Sequence, residues 1–353
     1  MVRLSSKKAH LNKAAEAFFT LPTPNEMRRQ IPVSQTSMAV TLRARRAIGE
    51  ILFGRDRRLL VVAGPCSLHH EASALEYARR FARLAEEVSD RMLLVMRAYL
   101  EKPRTTVGWK GLINDPDMDG SCDLARGLPL GRRLLLQITE LGVPAATELL
   151  EPGTPAYLMD AVSWAAIGAR TTESQIHREM ASGLPFAVGF KNGTDGGLSS
   201  AVNAVAAAGG AHAFPGINPD GRVSVHRTGG NPFCHLVLRG GRRPNYDPVS
   251  VEAAGAALRA AGLLPRLMVD CSHGNSRKDH RRQGPIFTEL VRRIAAGERA
   301  ICGLMLESHL LEGRITHRAG APPPFGISVT DACMGWEETE SVIRAGAEAL
   351  ASA

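Results

Sequence analysis

From residue 59 onward, short apolar runs alternate with longer stretches of helical periodicity, and each run hands over to polar or ionisable residues at its carboxyl end. The runs are 59–63, 92–96, 143–147, 163–167, 186–190, 235–238, 266–269 and 302–306. Between them lie 71–88, 129–141, 154–160, 173–182, 198–208, 248–261 and 285–296, each able to hold a helix, and 336–350 follows the last run. An uninterrupted apolar run suits a strand buried on both faces, as in parallel sheets covered by helices. Eight strands each followed by a helix predict an α/β fold, a (β/α)8 TIM barrel, with a doubly wound open sheet as the alternative. No internal sequence repeat accompanies the alternation.

The residues after each run support the barrel. Cys66 follows the first run, Arg97 and Lys102 the second, Glu148 the third, Ala169 and Arg170 the fourth and Lys191 the fifth. Arg239 follows the sixth, Asp270 and His273 the seventh, and Glu307 with His309 the eighth. Barrel enzymes place their active sites at that carboxyl end. The segment 209–228 is longer and richer in Gly and Pro than a βα connection needs; it predicts a β-hairpin inserted near 212–230, before the sixth strand. Residues 1–54 are basic, punctuated by proline and weakly periodic, and predict an N-terminal arm with one helix at 40–52. The catalytic barrel then occupies 55–353 as one domain, for which 353 residues and 44% hydrophobic content suffice.

Two mouths carry anion chemistry. Arg97, Lys102, Arg104 and Lys110 fall within fourteen positions, with Pro103 stiffening the loop and Thr105 beside Arg104. The ordinary reading is a solvated basic loop; the alternative is a set of guanidinium and ammonium groups fixed to meet phosphate or carboxylate. Gly168 and Ala169 would expose backbone N–H groups before a helix beginning near Thr171, placing Arg170 at a helix N-terminus with Lys191 on the next strand. The net charge of +8 also raises nucleic acid as a partner, but aromatics are only 5% and no basic helix, zinc-finger spacing or RNA-binding signature accompanies it. Anionic small substrates account for the charge.

Six cysteines are scattered without CxxC pairs and no apolar signal segment precedes them, which predicts reduced thiols and a cytoplasmic location. No apolar run reaches the ~18 residues a membrane span needs. Cys66, His273, Glu307 and Asp331 form the candidate metal set, although each singly reads as an ordinary buried thiol, hydrogen-bonded imidazole or solvated carboxylate. Together they would suit one divalent ion (Mn, Fe, Co or Zn) rather than a closed structural zinc site.

The blocks A-G-P-C-S-L-H-H, M-R-A-Y-L-E-K-P-R-T-T-V-G-W-K-G, W-A-A-I-G-A-R-T-T-E-S, G-F-K-N-G-T-D-G, L-R-G-G, D-C-S-H-G-N-S, G-L-M-L-E-S-H-L and G-I-S-V-T-D-A-C run in this order from about 60 to 340. In them the chain resembles the type I 3-deoxy-D-arabino-heptulosonate 7-phosphate synthases of the shikimate pathway. The resemblance implies a metal-dependent condensation of phosphoenolpyruvate with erythrose 4-phosphate, releasing phosphate, and a homo-oligomer, dimer or tetramer. By matching motif, Cys66, His273, Glu307 and Asp331 would bind the metal. Arg170 and Lys191 would hold the phosphate of phosphoenolpyruvate, and Arg97, Lys102 and Arg239 its carboxylate side. Arg104 with Thr105 would hold the erythrose phosphate; Glu148, Ala169 and His273 complete the substrate set, and Lys102, His273 and Asp331 are the catalytic candidates, Lys102 as proton donor to the aldehyde oxygen.

Two rivals remain: a related synthase using a five-carbon sugar phosphate, from which the K-P-R-T block points away, and a catalytically dead regulatory or nucleic-acid-binding relative. The resemblance also bears on control. Phenylalanine-sensitive members carry Gln and Ser where this chain has Ala156 and Pro185, and Ser where it has Gly216. Lacking those polar anchors, the chain is expected to respond weakly or not at all to phenylalanine, and to tyrosine if to any aromatic amino acid.

Overall fold

Along β1 (Leu59–Gly64) the side chains of Leu60 and Val62 point one way and those of Leu59, Val61 and Ala63 the other, and both sets are buried. That is the signature of a parallel strand with helices behind it and a barrel interior in front. The computed structural model describes residues 19–104 and 108–352. In chain order the elements are α1 (Pro24–Gln30), α2 (Gln35–Leu52), β1, α3 (Glu71–Glu87), β2 (Met92–Arg97), α4 (Leu124–Glu140), β3 (Ala145–Glu148), α5 (Pro155–Leu158), β4 (Val162–Ile167), α6 (Gln175–Ser182), β5 (Ala187–Lys191) and α7 (Ser199–Ala208). They continue as β6 (His212–Ile217), β7 (Val223–Thr228), β8 (Cys234–Leu238), α8 (Pro248–Ala260), β9 (Leu267–Asp270), α9 (Gln283–Ala295), β10 (Ile301–Glu307) and α10 (Trp336–Ala351). Eight strands close in the order β1-β10-β9-β8-β5-β4-β3-β2, all parallel, so the barrel is closed and the open-sheet alternative falls away.

The interior is filled by Leu60, Val62, Val95, Trp164, Val237, Met268 and Met305, and its amino-terminal end is plugged by Ile48, Ile51 and Leu52 of α2. Helix α2 buries Val40, Ala44, Ile48 and Ile51, an i, i+4, i+8, i+11 stripe, and starts where the Ser34 side chain accepts from Ser37 N at 3.0 Å. Each such fully buried aliphatic side chain contributes about 1.5–3 kcal/mol; an Asp at position 51 would bury an unpaired charge in the barrel floor. The fully buried Arg132 of α4 ties this end together, reaching Ile31 O at 2.8 Å, Tyr157 O at 2.7 Å and both oxygens of Asp160.

The inserted hairpin is present as β6 and β7, paired antiparallel from His212↔Thr228 to Ile217↔Val223. Helix α1 is joined to its turn, Asn25 N donating to Pro219 O at 2.9 Å and Asn25 Nδ2 to Asp220 Oδ1 at 2.7 Å.

Five local expectations need correction. The arm holds two helices: α1 is closed by a capping box in which Thr23 and Glu26 satisfy each other's backbone N–H groups. Helix α2 starts at 35 rather than 40, and α4 at 124 rather than 129, because Asp123 caps it and Pro129 lies inside it. The stretch 154–160 makes only the short α5 followed by a 3-10 turn at Met159–Ala161. Helix α6 starts at 175, so Arg170 does not flank a helix N-terminus; Thr171 N and Thr172 N instead both donate to Gly168 O at 3.0 Å, closing a tight turn.

Candidate active site and metal centre at the barrel mouth

The floor of the mouth is built from three strand ends. Glu307, the last residue of β10, accepts from Arg97 Nη2 at 2.7 Å and Ser272 Oγ at 3.0 Å. Gln283 clamps its backbone: Nε2 donates to Glu307 O at 3.1 Å, and Oε1 accepts from Glu307 N at 2.8 Å. Burial pushes the Glu307 carboxyl up, but the charges of Arg97, His273 and Lys102 outweigh it and hold the carboxyl down at about 2. Cys66, two residues past β1, is fully buried. Its Sγ accepts from Lys102 Nζ at 3.2 Å and lies 3.9 Å from Asp331 Oδ2. Burial and the Glu307 charge push this thiol up against the pull of Lys102. The charges of Cys66, Glu307 and Glu148 in turn raise Lys102 above the ordinary lysine range, although burial opposes them.

Ligand atoms of Cys66, Glu307 and Asp331 all lie within 4.8 Å of one another, the span that two donors about 2.0–2.4 Å from one ion can bridge. His273 borders the group, its Nε2 3.7 Å from Glu307 Oε1. A thiol, two carboxylates and an imidazole fit a divalent ion of intermediate softness, and the buried cations Arg97 and Lys102 keep the cluster from being a bare concentration of negative charge.

Above the floor opens a cleft of about 930 Å³ lined by Lys102, Arg104, Glu148, Ala169, Arg170, Lys191, Arg239, His273 and Asp331. All of these are residues that the sequence reading had singled out. Thr172 Oγ1 stitches two mouths together, sharing its one proton between Gly168 O at 3.0 Å and Lys191 O at 2.8 Å, and Asn192 Oδ1 accepts from Arg239 N at 2.8 Å. A Cβ at Gly168 would stand 2.4 Å from Glu148 Oε1, so the Glu148 side chain would have to shift to admit one. Gly240 has φ +72, and its Cβ would meet Asn275 N at 2.4 Å, so the loops after β8 and β9 stack as bare backbone. Burial lowers Arg239 from its usual range, Asp270 opposing and Arg170 adding to the effect.

Two expectations shift. Arg97 does not line the cleft: it ends β2 fully buried, donates from Nε to Pro65 O at 3.1 Å, and its guanidinium stacks 3.6 Å from the Tyr99 ring centroid. As an inward strand residue two positions after Val95, it braces Glu307 rather than belonging to a basic loop. Thr105 lies outside the described residues.

The sequence reading missed Arg242, Arg277 and Lys278, which add three cations to the cleft wall, and the buried Gln283, and it gave the buried Asp270 and Ser272 no role. His273, Arg277 and Lys278 all have left-handed φ, at 53°, 54° and 61°, an unfavourable conformation for side-chain-bearing residues and a mark of a loop shaped for its contacts. Residue order carries no signal for those angles. Asp270 was visible beside His273 but had no partner in sequence to give it a role.

The model of the DAHP synthetase I family matches residues 30–344. The chain is 54% identical over 325 residues to the phospho-2-dehydro-3-deoxyheptonate aldolase, Tyr-sensitive, of Escherichia coli (strain K12), spanning 92% of this chain and 91% of that protein. It is 50% identical to the Trp-sensitive enzyme of Enterobacter agglomerans (94% and 95% covered) and 49% identical to the Phe-sensitive enzyme of E. coli K12 (93% of each). The solved phospho-2-dehydro-3-deoxyheptonate aldolase of Francisella tularensis SCHU S4 superposes with a TM-score of 0.92 at 41% identity, covering 95% of this chain and 98% of that one. With the family model matching most of its length and relatives near half identity over more than nine-tenths of it, this chain belongs to the DAHP synthetase I family, a family of transferases.

Proposed function

We propose that this protein condenses phosphoenolpyruvate with erythrose 4-phosphate to give 3-deoxy-D-arabino-heptulosonate 7-phosphate and inorganic phosphate, with one divalent metal held by Cys66, Glu307, Asp331 and His273. The observation that carries the reading is the meeting of those donors within 4.8 Å for the first three, at the foot of a cation-walled cleft large enough for two phosphorylated substrates. A bound divalent ion supplies Lewis-acid polarisation of the aldehyde.

The protein's own groups do the rest. Arg170 and Lys191 bind the phosphate of phosphoenolpyruvate, with Arg239 and Lys102 toward its carboxylate, while Arg104, on the loop after β2, takes the phosphate of the aldose. Glu148 and Ala169 fill the wall between them. Held this way, the enol carbon faces the aldehyde carbon at low entropic cost. As the carbon–carbon bond forms, the aldehyde oxygen takes the proton carried by Lys102. Water then adds to the cationic carbon, Asp331 receiving its proton on the carboxylate oxygen turned from the metal, and phosphate leaves with cleavage of the carbon–oxygen bond. Cytoplasm as the compartment and a homo-oligomer as the working form belong to the same reading. Among the described residues no helix is long and apolar enough to cross a membrane.

The test is phosphate release by purified protein given both substrates, with and without a chelator. Release that needs both substrates and stops on chelation supports the proposal. Consumption of a five-carbon sugar phosphate in place of erythrose 4-phosphate, or no release with any added metal, refutes it.

A further inference from the structure

Asp270 ends β9 with no solvent exposure, and a single one of its oxygens is shared by two groups that face the cleft. Lys191 Nζ donates to Oδ2 at 2.9 Å, reaching across the intervening β8, and His273 Nδ1 lies 2.9 Å from the same atom. Oδ1 accepts from Ser272 N at 3.0 Å, which holds the carboxylate, and Asn275 Nδ2 donates to the Asp270 backbone carbonyl at 2.9 Å, which holds the strand end. An ion pair serving only stability needs one cation. Here the carboxylate accepts from Lys191 and stands 2.9 Å from one ring nitrogen of His273, and both residues also line the cleft. The 2.9 Å approach places Nδ1 against the carboxylate without an aligned hydrogen bond, and Nε2 stands on the side of Glu307, 3.7 Å away; a proton on Nδ1 turned to Asp270 would leave the Nε2 lone pair for the metal.

We propose that Asp270 is a positioning residue shared by the two halves of the site: through Oδ2 it sets the tautomer and ring direction of His273 for the metal, and at the same time aims Lys191 at the substrate phosphate. The inference rests on the metal and phosphate roles given above. It makes a demand that either role alone does not: one isosteric change at 270 must weaken metal and anion binding together. In Asp270→Asn the amide has a single acceptor oxygen for three donors, so its NH2 faces Ser272 N, Lys191 or His273.

The experiment uses the full chain stripped of metal. Mn2+ alone is titrated in competition with a chromophoric chelator, and phosphoenolpyruvate alone is titrated by calorimetry, for the parent, Asp270→Asn and Asp160→Asn. The last breaks the Arg132–Asp160 pair away from the mouth and controls for a general loss of stability. Asp270→Asn is expected to lose roughly 10- to 100-fold in Mn2+ affinity and a comparable factor for phosphoenolpyruvate. Asp160→Asn should lower only the melting temperature. Parent-like affinity of Asp270→Asn for either ligand overturns the shared role, as does an equal loss in Asp160→Asn. If Asp270→Asn does not fold, Asp270→Glu keeps the charge and displaces the oxygen by one methylene; it should show the same paired loss, and parent-like binding of either ligand by it is refuting. Both titrations read binding without turnover. A parent that binds both ligands but forms no product therefore sinks the proposed reaction and leaves this inference standing.

Discussion

Replacing Arg97 by Met tests whether the floor of the mouth is a balanced charge cluster. In the parent, Arg97 and Glu307 are both about 1% exposed and 2.7 Å apart, and the guanidinium also serves the carbonyl of Pro65. Methionine fills similar volume beside Tyr99 but leaves Glu307 with Ser272 Oγ as its close neutral donor. Breaking a buried pair from one side costs about 3–5 kcal/mol, because the remaining charge stays desolvated. At about 2.1 cal/mol/K of unfolding entropy per residue, a chain of 353 residues moves about 1.3 °C per kcal/mol, so the metal-free variant should melt about 4–7 °C below the parent. A divalent ion at Cys66, Glu307 and Asp331 brings its own positive charge to Glu307, so saturating Mn2+ should raise the variant's melting temperature more than the parent's and narrow the gap. The assay is differential scanning calorimetry with and without metal. A metal-free Arg97→Met that melts within a degree of the parent, or a deficit that Mn2+ leaves unchanged, would refute the reasoning.

Cys66→Ser should retain its fold and lose most metal affinity, measured by chelator competition; full activity after chelation without added metal would contradict the thiol's role. Arg170→Ala should chiefly raise the KM for phosphoenolpyruvate and Arg104→Ala that for erythrose 4-phosphate, each by about 1.5–3 kcal/mol of lost charge-assisted contact, roughly ten- to a hundredfold. Equal effects on both substrates from either variant would end that division. Burial pushes the Glu101 carboxyl up to about 7 from 4.5, so the native state holds its proton longer than the unfolded chain, and stability falls as pH rises through that window. Glu101→Gln, whose amide oxygen can accept from Leu150 N while its NH2 donates to Thr154 Oγ1, should flatten this dependence and melt above the parent at pH 8; a parallel melting curve from pH 5 to 8 would exclude it. Phenylalanine should inhibit weakly or not at all, and tyrosine more strongly if any aromatic amino acid does. Ala156 and Pro185 bring no polar side chain to the arm, and Gly216 leaves the His226 ring as its nearest neighbour, 3.0 Å from where a Cβ would sit. Strong inhibition of initial rate by micromolar phenylalanine would reverse that expectation.

The chain order alone determined the eight alternating strands and helices, while closure into a barrel rather than an open sheet came from the tertiary structure; the local reason is that a parallel strand buried on both faces must be a continuous apolar run, and each of the eight runs overlaps an observed strand. It also marked the hairpin, and it held the T-P-N-E capping box of α1, a readable signal that went unread. Helix starts were less legible where a turn competes for the same donors, as at 171–174, where Gly168 O takes the N–H groups that a helix start would leave free.

What tertiary structure alone decided is who meets whom. Cys66 and Asp331 are 265 positions apart and Lys191 and Asp270 79 apart, distances over which no spacing rule operates. Closing the barrel converts eight strand ends into one ring and brings those pairs within contact. The same closure turned Arg97 from an apparent loop cation into the buried partner of Glu307, because a side chain at the end of a strand points inward or outward by the period of the sheet rather than by its own polarity. The sheet also gave Asp270 its two partners at once, since β5 and β9 flank β8 and Lys191 reaches over it to the carboxylate oxygen that His273 approaches.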